Sequence, residues 1–419
     1  PWLGGIPAAD GASEARVPAA RVYVYDLPPL WLRRRAFASD ADPIFNTYHV
    51  FMSALLQQNS TAVADDPAQA ALFLAPAFGT NMEGLREYYA HAHRRISASY
   101  PWWNASGGTN HFWWSTADGG GCELNQVAGV RDSIAVAHYL LTNLSAAERA
   151  AARRQSQSCG SRLKDVPVPP HLPAVGSARF LSSGLRPASR RRIAFFFAGN
   201  VPDSTLPGFD ARTDADLGAE AYSEGVRQLV WKHLRSAAGF RVVPRSATYA
   251  DDWADAKVCL APMGVGWGIR LLWAVAAGCV PLMASSRVAP WFDRALPWEQ
   301  MAILGVPKQD LQRLPTTLAA LPDGALEQKQ RALWRFRMLV LWPPAGGLAY
   351  HVTLYEVCLR AAGLARRRGA VWGWDCAQLL PPSAVEEFPE VLQSPASPTA
   401  RAFGARRDWG GTTGRHRDR

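Results

Sequence analysis

Residues 193–198, Ile-Ala-Phe-Phe-Phe-Ala, are apolar without a break, whereas most of the chain spaces its apolar positions at intervals. A run with no polar face suits a strand covered on both sides in a parallel sheet. Downstream, the pattern predicts a helix over 222–234, a short strand over 241–243 and a helix near 249–255. A strand over 257–261, a helix over 269–277 and a strand over 279–283 follow. The first half repeats the alternation. Val22 to Tyr25 marks a strand within 21–25, 47–58 reads as a helix, 71–75 as a buried strand and 82–99 as a second helix. Residues 111–115 and 133–141 continue the order. Val166-Pro-Val-Pro-Pro170 ends it, because proline neither donates to a ladder nor continues a helix. Strands alternating with helices predict an α/β chain of two doubly wound parallel sheets.

Ligands of such sheets bind at the carboxyl ends of the strands, where the strand order reverses. The domain boundaries expected are a linker over 1–20, a first domain over 21–175, a basic Ser/Pro-containing linker over 176–192 and a second domain over 193–366. An extension over 367–394 and a disordered basic tail over 395–419 complete the chain.

Length agrees with two large domains: 419 residues at roughly 150 per domain. At 48% apolar and 19% charged residues, the composition excludes a largely disordered chain. No apolar run reaches the length of a membrane span, and the stretch 271–284 is interrupted by Gly278 and Pro281. The chain begins at Pro1 rather than Met, so nothing follows about a leader or anchor upstream of it. Of the formal charge of +10, a net +4 belongs to the Arg-rich tail, leaving too thin a spread for a nucleic-acid groove.

Six cysteines occur without a C-x-x-C pair, which speaks against zinc or dithiol redox chemistry. Cys259 and Cys279 lie in apolar runs and read as buried thiols, whereas Cys122, Cys159, Cys358 and Cys376 are placed to form two disulfides. Sequons at Asn59, Asn104 and Asn143 agree with passage through an oxidising secretory compartment.

The sharpest local feature is Leu260-Ala-Pro-Met-Gly-Val-Gly-Trp-Gly-Ile-Arg270. A strand ends at Pro262, and Gly264, Gly266 and Gly268 let the backbone approach a ligand. A helix then starts with free N–H groups and Arg270 in its first turn, an arrangement suited to a diphosphate. A tight turn with glycines for packing is the alternative. The spacing differs from a dinucleotide fingerprint and no acidic residue follows at the required distance, which disfavours a dehydrogenase. Arg227, in Tyr222-Ser-Glu-Gly-Val-Arg-Gln228, offers a planar fork for phosphate oxygens or belongs to a solvated helix face.

These segments stand in an order that resembles the exostosin family of glycosyltransferases. The likeness is carried by Arg21-Val-Tyr-Val-Tyr-Asp26, Ala71-Leu-Phe-Leu-Ala-Pro76, Asn110-His-Phe112, Lys164-Asp-Val-Pro-Val-Pro-Pro170, Phe197-Ala-Gly-Asn200, 222–228 and the block 257–283 with Gly278-Cys-Val-Pro281. It covers roughly residues 20–365.

The resemblance implies a GT-B fold of two Rossmann-like domains, the first binding the acceptor and the second a nucleotide sugar, with UDP as the expected nucleotide. It implies inverting transfer without a metal or other cofactor, the leaving diphosphate being met by Arg227, Arg270 and the glycine-rich helix start. Gly199, Asn200, Tyr222, Pro262 and Trp267 complete the expected donor site.

Inversion needs a base for the acceptor hydroxyl. Asn110-His-Phe-Trp-Trp-Ser-Thr-Ala-Asp118 resembles a family His-Phe strand followed by a His-Asp-Trp-Gly segment, whose second His and Trp are absent here, making His111 and Asp118 the candidates, with Glu83 and His49 in reserve. A structural, hydrogen-bonded histidine is the other reading of His111.

Two departures stand out: Trp273 where relatives often carry a carboxylate, and Phe45-Asn-Thr-Tyr48 where they often carry Tyr-x-x-Glu. They keep open a noncatalytic carbohydrate-binding relative as the alternative. Trp102 or Trp103 is an expected acceptor contact. A glycan acceptor, no nucleic acid, the Golgi lumen and a membrane link only through an upstream anchor complete the expectations.

Overall fold

The computed structural model describes residues 17–27, 45–58, 61–79, 84–142, 160–172, 180, 184–266, 268–285, 287–322, 324–343 and 346–392. The expected tail over 395–419, Cys159, Glu83, Trp267 and the sequons at Asn59 and Asn143 lie outside the described residues. The chain divides into two compact units. One comprises residues 1–171, 289–292 and 338–393, and the other 172–288, 293–337 and 394–419.

The first unit is built on five parallel strands in chain order: β1 (Val22–Val24), β2 (Leu72–Gly79), β3 (His111–Ser115), β4 (Ile134–Ala137) and β5 (Val166–Pro167). All eight residues of β2 are buried, because both faces of the sheet are covered. Helix α1 (Thr47–Gln58) lays Phe51 against Trp114, with ring centroids 4.9 Å apart. On the other face, α2 (Leu85–Ser99) buries Leu85, Tyr88, Tyr89, Ala92 and Ile96 at helical spacing, with Tyr89 against Trp113.

Two expectations are corrected in this unit. Val166-Pro167 was taken as a terminator, yet it forms the edge strand β5, in register with Val136 and Ala137. An edge strand tolerates proline because its missing N–H falls on the side with no neighbour. Asp165 pins this edge: its carboxylate accepts from the Ala135 and Ser161 amides at 3.0 and 2.8 Å and pairs with Lys164. Residues up to 366 were assigned to the second domain, but the long helix Ala349–Arg367 belongs to the first unit. Tyr350 packs 5.6 Å from Phe51, and Arg360 Nε donates 3.0 Å to the Asp165 carbonyl. Periodicity shows that such a helix has a face to bury, not which sheet buries it.

The second unit has five parallel strands, β6 (Ile193–Ala198), β7 (Phe240–Val243), β8 (Ala256–Leu260), β9 (Val280–Met283) and β10 (Ile303–Leu304), in the order β10-β9-β8-β6-β7. Helix α3 (Val226–Leu234) covers one face, its Val226, Leu229 and Val230 joining Phe195 and Phe197 in one core. Helix α4 (Tyr249–Asp255) covers the other, with Trp253 5.3 Å from Phe196. Helix α5 (Arg270–Ala277) joins β8 to β9. The chain therefore leaves β6 for β7 on one side and returns to β8 on the other. The reversal lies between β6 and β8.

Cys259 and Cys279, expected as thiols, form a disulfide with Cα atoms 5.9 Å apart. The reason is topological: β8 and β9 are neighbours, and Cys259 stands in register with Pro281, two residues from Cys279. Of the four cysteines expected in disulfides without a set pairing, Cys358 bonds Cys376, and Cys122 is also disulfide-bonded. Among the described residues no helix is long and apolar enough to cross a membrane.

Candidate active site

The carboxyl ends of β6 and β8 flank the reversal of strand order, the place where open α/β sheets leave a crevice between diverging loops. After β6 comes Gly199. A Cβ there would stand 2.1 Å from Arg270 Nη2, so only glycine lets the guanidinium lie along this backbone. Arg270, opening α5, donates from Nε to the Ala198 carbonyl at 2.9 Å and lies 5.5 Å from the Phe197 ring centroid.

The loop after β8 closes on itself through Gly264 N–H to the Gly266 carbonyl at 3.0 Å. Gly268 is required by close approach, since a Cβ there would stand 2.5 Å from the Pro262 carbonyl oxygen. The disulfide ties both ends of this segment across a sequence separation of 20, which by the loop-closure model favours the folded loop by about 3 kcal/mol.

Arg227 was expected in the second turn of a helix over 222–234. The helix instead starts at Val226, putting Arg227 in its first turn. Residues 222–225 form a distorted turn in which Ser223, Glu224 and Gly225 have φ of 59°, 52° and 75°. Two successive non-glycine residues in the left-handed region persist only where their surroundings over-determine them. Here Ser223 N–H donates to the Gly264 carbonyl at 2.9 Å, Glu224 pairs with Arg287 at 2.9 Å, and Lys308 Nζ donates to the Glu224 carbonyl at 2.9 Å. The Ser223 hydroxyl is fully buried and has no hydrogen-bond partner among the described residues. Sequence reasoning missed this residue; its one signal was Gly225 directly before the helix.

The fork of Arg227 is 2% exposed and spans both loops of the reversal. Nε and Nη2 donate to the Met263 carbonyl at 3.2 and 2.9 Å, and Nη1 to the Asn200 carbonyl at 3.2 Å and the Tyr222 hydroxyl at 2.8 Å. Burial, and then the neighbouring Arg270 cation, bring its pKa down to about 10, so it remains charged at neutral pH. Neither guanidinium has a carboxylate partner among the described residues. Two adjacent cations facing only carbonyl oxygens, hydroxyls and aromatic faces leave positive charge for an anion to neutralise. Of the expected donor residues, Gly199, Asn200, Tyr222, Arg227, Pro262, Gly264, Gly268 and Arg270 come together, with Gly266 in the same loop.

His111 and Asp118, in contrast, stand at opposite ends of β3. His111 opens the strand and is fully buried, with Nε2 2.7 Å from the Tyr25 hydroxyl and Nδ1 3.3 Å from Ser106 Oγ. Phe73 stacks on it at 4.8 Å and Trp103 meets it edge-on at 4.5 Å. Burial, reinforced by the His93 charge, lowers its pKa to about 3. It is the hydrogen-bonded structural histidine of the alternative reading, at the amino-terminal edge. Trp102 and Trp103, expected at the acceptor, belong to the same edge: Trp103 is 6% exposed, and Trp102 stacks on Phe73 at 5.9 Å.

Asp118 follows the carboxyl end of β3 in a turn closed by Gly120 N–H to the Ala117 carbonyl at 2.8 Å. Gly120 takes φ of 56°, and a Cβ there would stand 2.2 Å from the Tyr139 carbonyl oxygen. His49, in the first turn of α1, is exposed and meets Phe78 of β2 edge-on at 5.3 Å. Desolvation holds its pKa below the ordinary histidine value. Among the described residues no group of three or more His, Cys, Asp or Glu side chains is gathered that could hold an ion.

A family model described as the exostosin GT47 domain matches residues 16–321. A probable glucuronosyltransferase of Oryza sativa subsp. japonica is 26% identical over 364 residues, 83% of this chain and 82% of that protein. A probable beta-1,4-xylosyltransferase of Arabidopsis thaliana is 26% identical over 364 residues, 83% of this chain and 84% of that protein.

Proposed function

The chain belongs to the exostosin GT47 family of glycosyltransferases, and from that premise we propose that it moves a sugar from UDP to a glycan acceptor with inversion and without a bound cation. The observation that carries this reading is the pair Arg227 and Arg270 at the β6/β8 reversal, two adjacent guanidiniums with no carboxylate partner among the described residues. A departing diphosphate carries away the electron pair of the broken glycosidic bond. Fixed cations and the amide groups opening α5 stabilise that charge as it develops. Gly199 and Gly268 admit the backbone and side-chain approach this needs, and the disulfide holds the loop.

Proton removal from the acceptor is assigned to Asp118. The carboxyl ends of parallel strands are where such sheets present functional groups, and His111 stands at the other end with both ring nitrogens engaged. His49 is the second candidate because it also lies at a carboxyl end. The oxidised cysteines and the sequons support a Golgi-lumenal site of action.

The test is transfer and hydrolysis of nucleotide sugars by the purified chain, with UDP binding read by calorimetry. Turnover of a UDP-linked sugar is expected. Binding of glycans without turnover of any nucleotide sugar overturns the reading in favour of a carbohydrate-binding relative.

A further inference from the structure

Residues 222–225 contact both Arg227 and the glycine-rich loop. The Tyr222 hydroxyl accepts from Arg227 Nη1 at 2.8 Å, and the Ser223 amide donates to the Gly264 carbonyl at 2.9 Å. Gly225 immediately precedes α3 and lies so close to the end of the short helix Asp214–Gly218 that a Cβ there would stand 2.0 Å from the Leu217 carbonyl oxygen. Between these fixed points Ser223 (φ 59°, ψ 19°) and Glu224 (φ 52°, ψ 29°) are both left-handed, a conformation that is costly for a residue with a Cβ and not for glycine.

The groups that hold this turn come from elsewhere in the unit. Lys308 opens a 3₁₀ helix over Lys308–Arg313 that follows β10, the edge strand two places from β8. Its ammonium donates to the Gly218 carbonyl at 2.8 Å and to the Glu224 carbonyl at 2.9 Å, which joins the turn to the end of the helix before it. Val306 and Leu311, on either side of the lysine, lie in one core with Val226 and Leu229 of α3, so its backbone is fixed. Arg287, beyond β9, pairs with the Glu224 carboxylate at 2.9 Å. The Glu224 side chain is 15% exposed, so this attraction is screened less than one between surface charges.

We infer that Lys308 and the Glu224–Arg287 pair are positioning residues of the donor site, holding residues 222–225 left-handed and thereby fixing the Tyr222 hydroxyl on Arg227 and the glycine-rich loop on the Ser223 amide. This rests on the donor reading of Arg227 and Arg270. A strained turn persists only while its surroundings hold it. Without the ammonium, the Glu224 carbonyl loses its charge-assisted partner, and Ser223 and Glu224 turn back towards right-handed or extended backbone. That rotation carries the Tyr222 phenol and the Ser223 amide away together, since both belong to the same short segment. Arg227 is then left with one acceptor fewer and the glycine-rich loop without its tie. A site that each ligand must order anew binds that ligand less tightly. The three side chains act through the turn and not on the nucleotide.

Calorimetric titration of the full chain with UDP tests this, with melting of the same samples to show that each variant is folded. Lys308→Met is expected to weaken UDP binding about tenfold, and Lys308→Arg, which keeps a cationic donor, to stay within about threefold of wild type. Ser223→Gly supplies the readout that a merely structural lysine would not move, because glycine takes the left-handed conformation without being held there. Added to Lys308→Met, it is expected to recover UDP affinity by about threefold or more. Equal UDP affinity in wild type and Lys308→Met, or a loss that Ser223→Gly does not reverse, overturns the inference and leaves the donor reading standing. Failure of wild type to bind UDP at all overturns both. If Lys308→Met does not fold, Glu224→Gln decides: a loss of UDP affinity that Ser223→Gly reverses supports the inference, and unchanged affinity or an unreversed loss overturns it.

Discussion

Both units rest on five-stranded parallel sheets with helices packed on both faces, yet they treat buried charge in opposite ways. In the first, every buried ionisable group described above is either paired or kept neutral. Arg360 and Glu356, both fully buried, stand 3.3 Å apart, Lys164 meets Asp165, and His111 is held uncharged among rings. In the second, Arg227 is almost as deeply buried and remains cationic beside a second guanidinium, with carbonyls and a phenol as its acceptors. A lone buried charge is costly, and a second like charge beside it adds to the cost. Such an arrangement persists where an absent partner of opposite sign is part of the function. The topology agrees: the first sheet runs in chain order, whereas the second reverses between β6 and β8, where these cations stand.

The largest effect that sharpens this contrast concerns Asp118. Asp118→Asn is expected to lower transfer by about 10² to 10⁴ with UDP affinity unchanged. Near wild-type turnover in this variant moves the base to His49.

His111→Ala tests whether charge in the first unit is structural. Removing a ring packed on Phe73 and Trp103, and orphaning the Tyr25 hydroxyl, is expected to cost about 2 to 4 kcal/mol in chemical denaturation. The same residue sets an acid dependence. Its folded pKa of about 3 lies below the ordinary histidine value, so between the two the unfolded chain binds a proton that the folded chain refuses. Its contribution is complete above about pH 6.5 and is lost as pH falls, at about 1.4 kcal/mol per pH unit. Denaturation curves from pH 7 to pH 4.5 are expected to be less steep in His111→Gln than in wild type by about this amount, the remaining slope coming from His49, His93, His171 and His351, which burial also holds below the ordinary value. An identical slope in both removes His111 from the account of acid stability.

In the second unit, Arg270→Ala and Arg227→Ala are each expected to weaken UDP binding by about 1.5 to 3 kcal/mol, with a smaller change in thermal stability than His111→Ala causes. Calorimetry and melting on the same samples check this. Two variants that melt early and bind UDP normally would make the pair structural and erase the contrast. The smallest expected effect is that of chelation. With diphosphate charge met by side chains, excess EDTA is expected to leave the rate nearly intact. Loss of activity restored by manganese would overturn the cation-free reading.

The sequence by itself determined many of the elements and the glycine-rich loop after β8. The strand and helix patterns of 47–58, 111–115, 193–198 and 249–255 appear where the periodicity put them, because alternation and helical spacing report local geometry. The glycines at 199 and 268 were legible for the same reason, since the need for close approach is written in the residue type. What only the tertiary structure decided was partnership. It joined Cys259 to Cys279, gave Val166–Pro167 an edge to pair with, returned Ala349–Arg367 to the first sheet and set Arg227 between two carbonyl-lined loops. It also separated His111 from Asp118, which stand seven positions apart but at opposite ends of one strand, only one of them the carboxyl end. Hydrophobic spacing states that a face is buried, whereas the identity of the covering neighbour depends on strand order, and strand order arises from contacts between segments far apart in the chain.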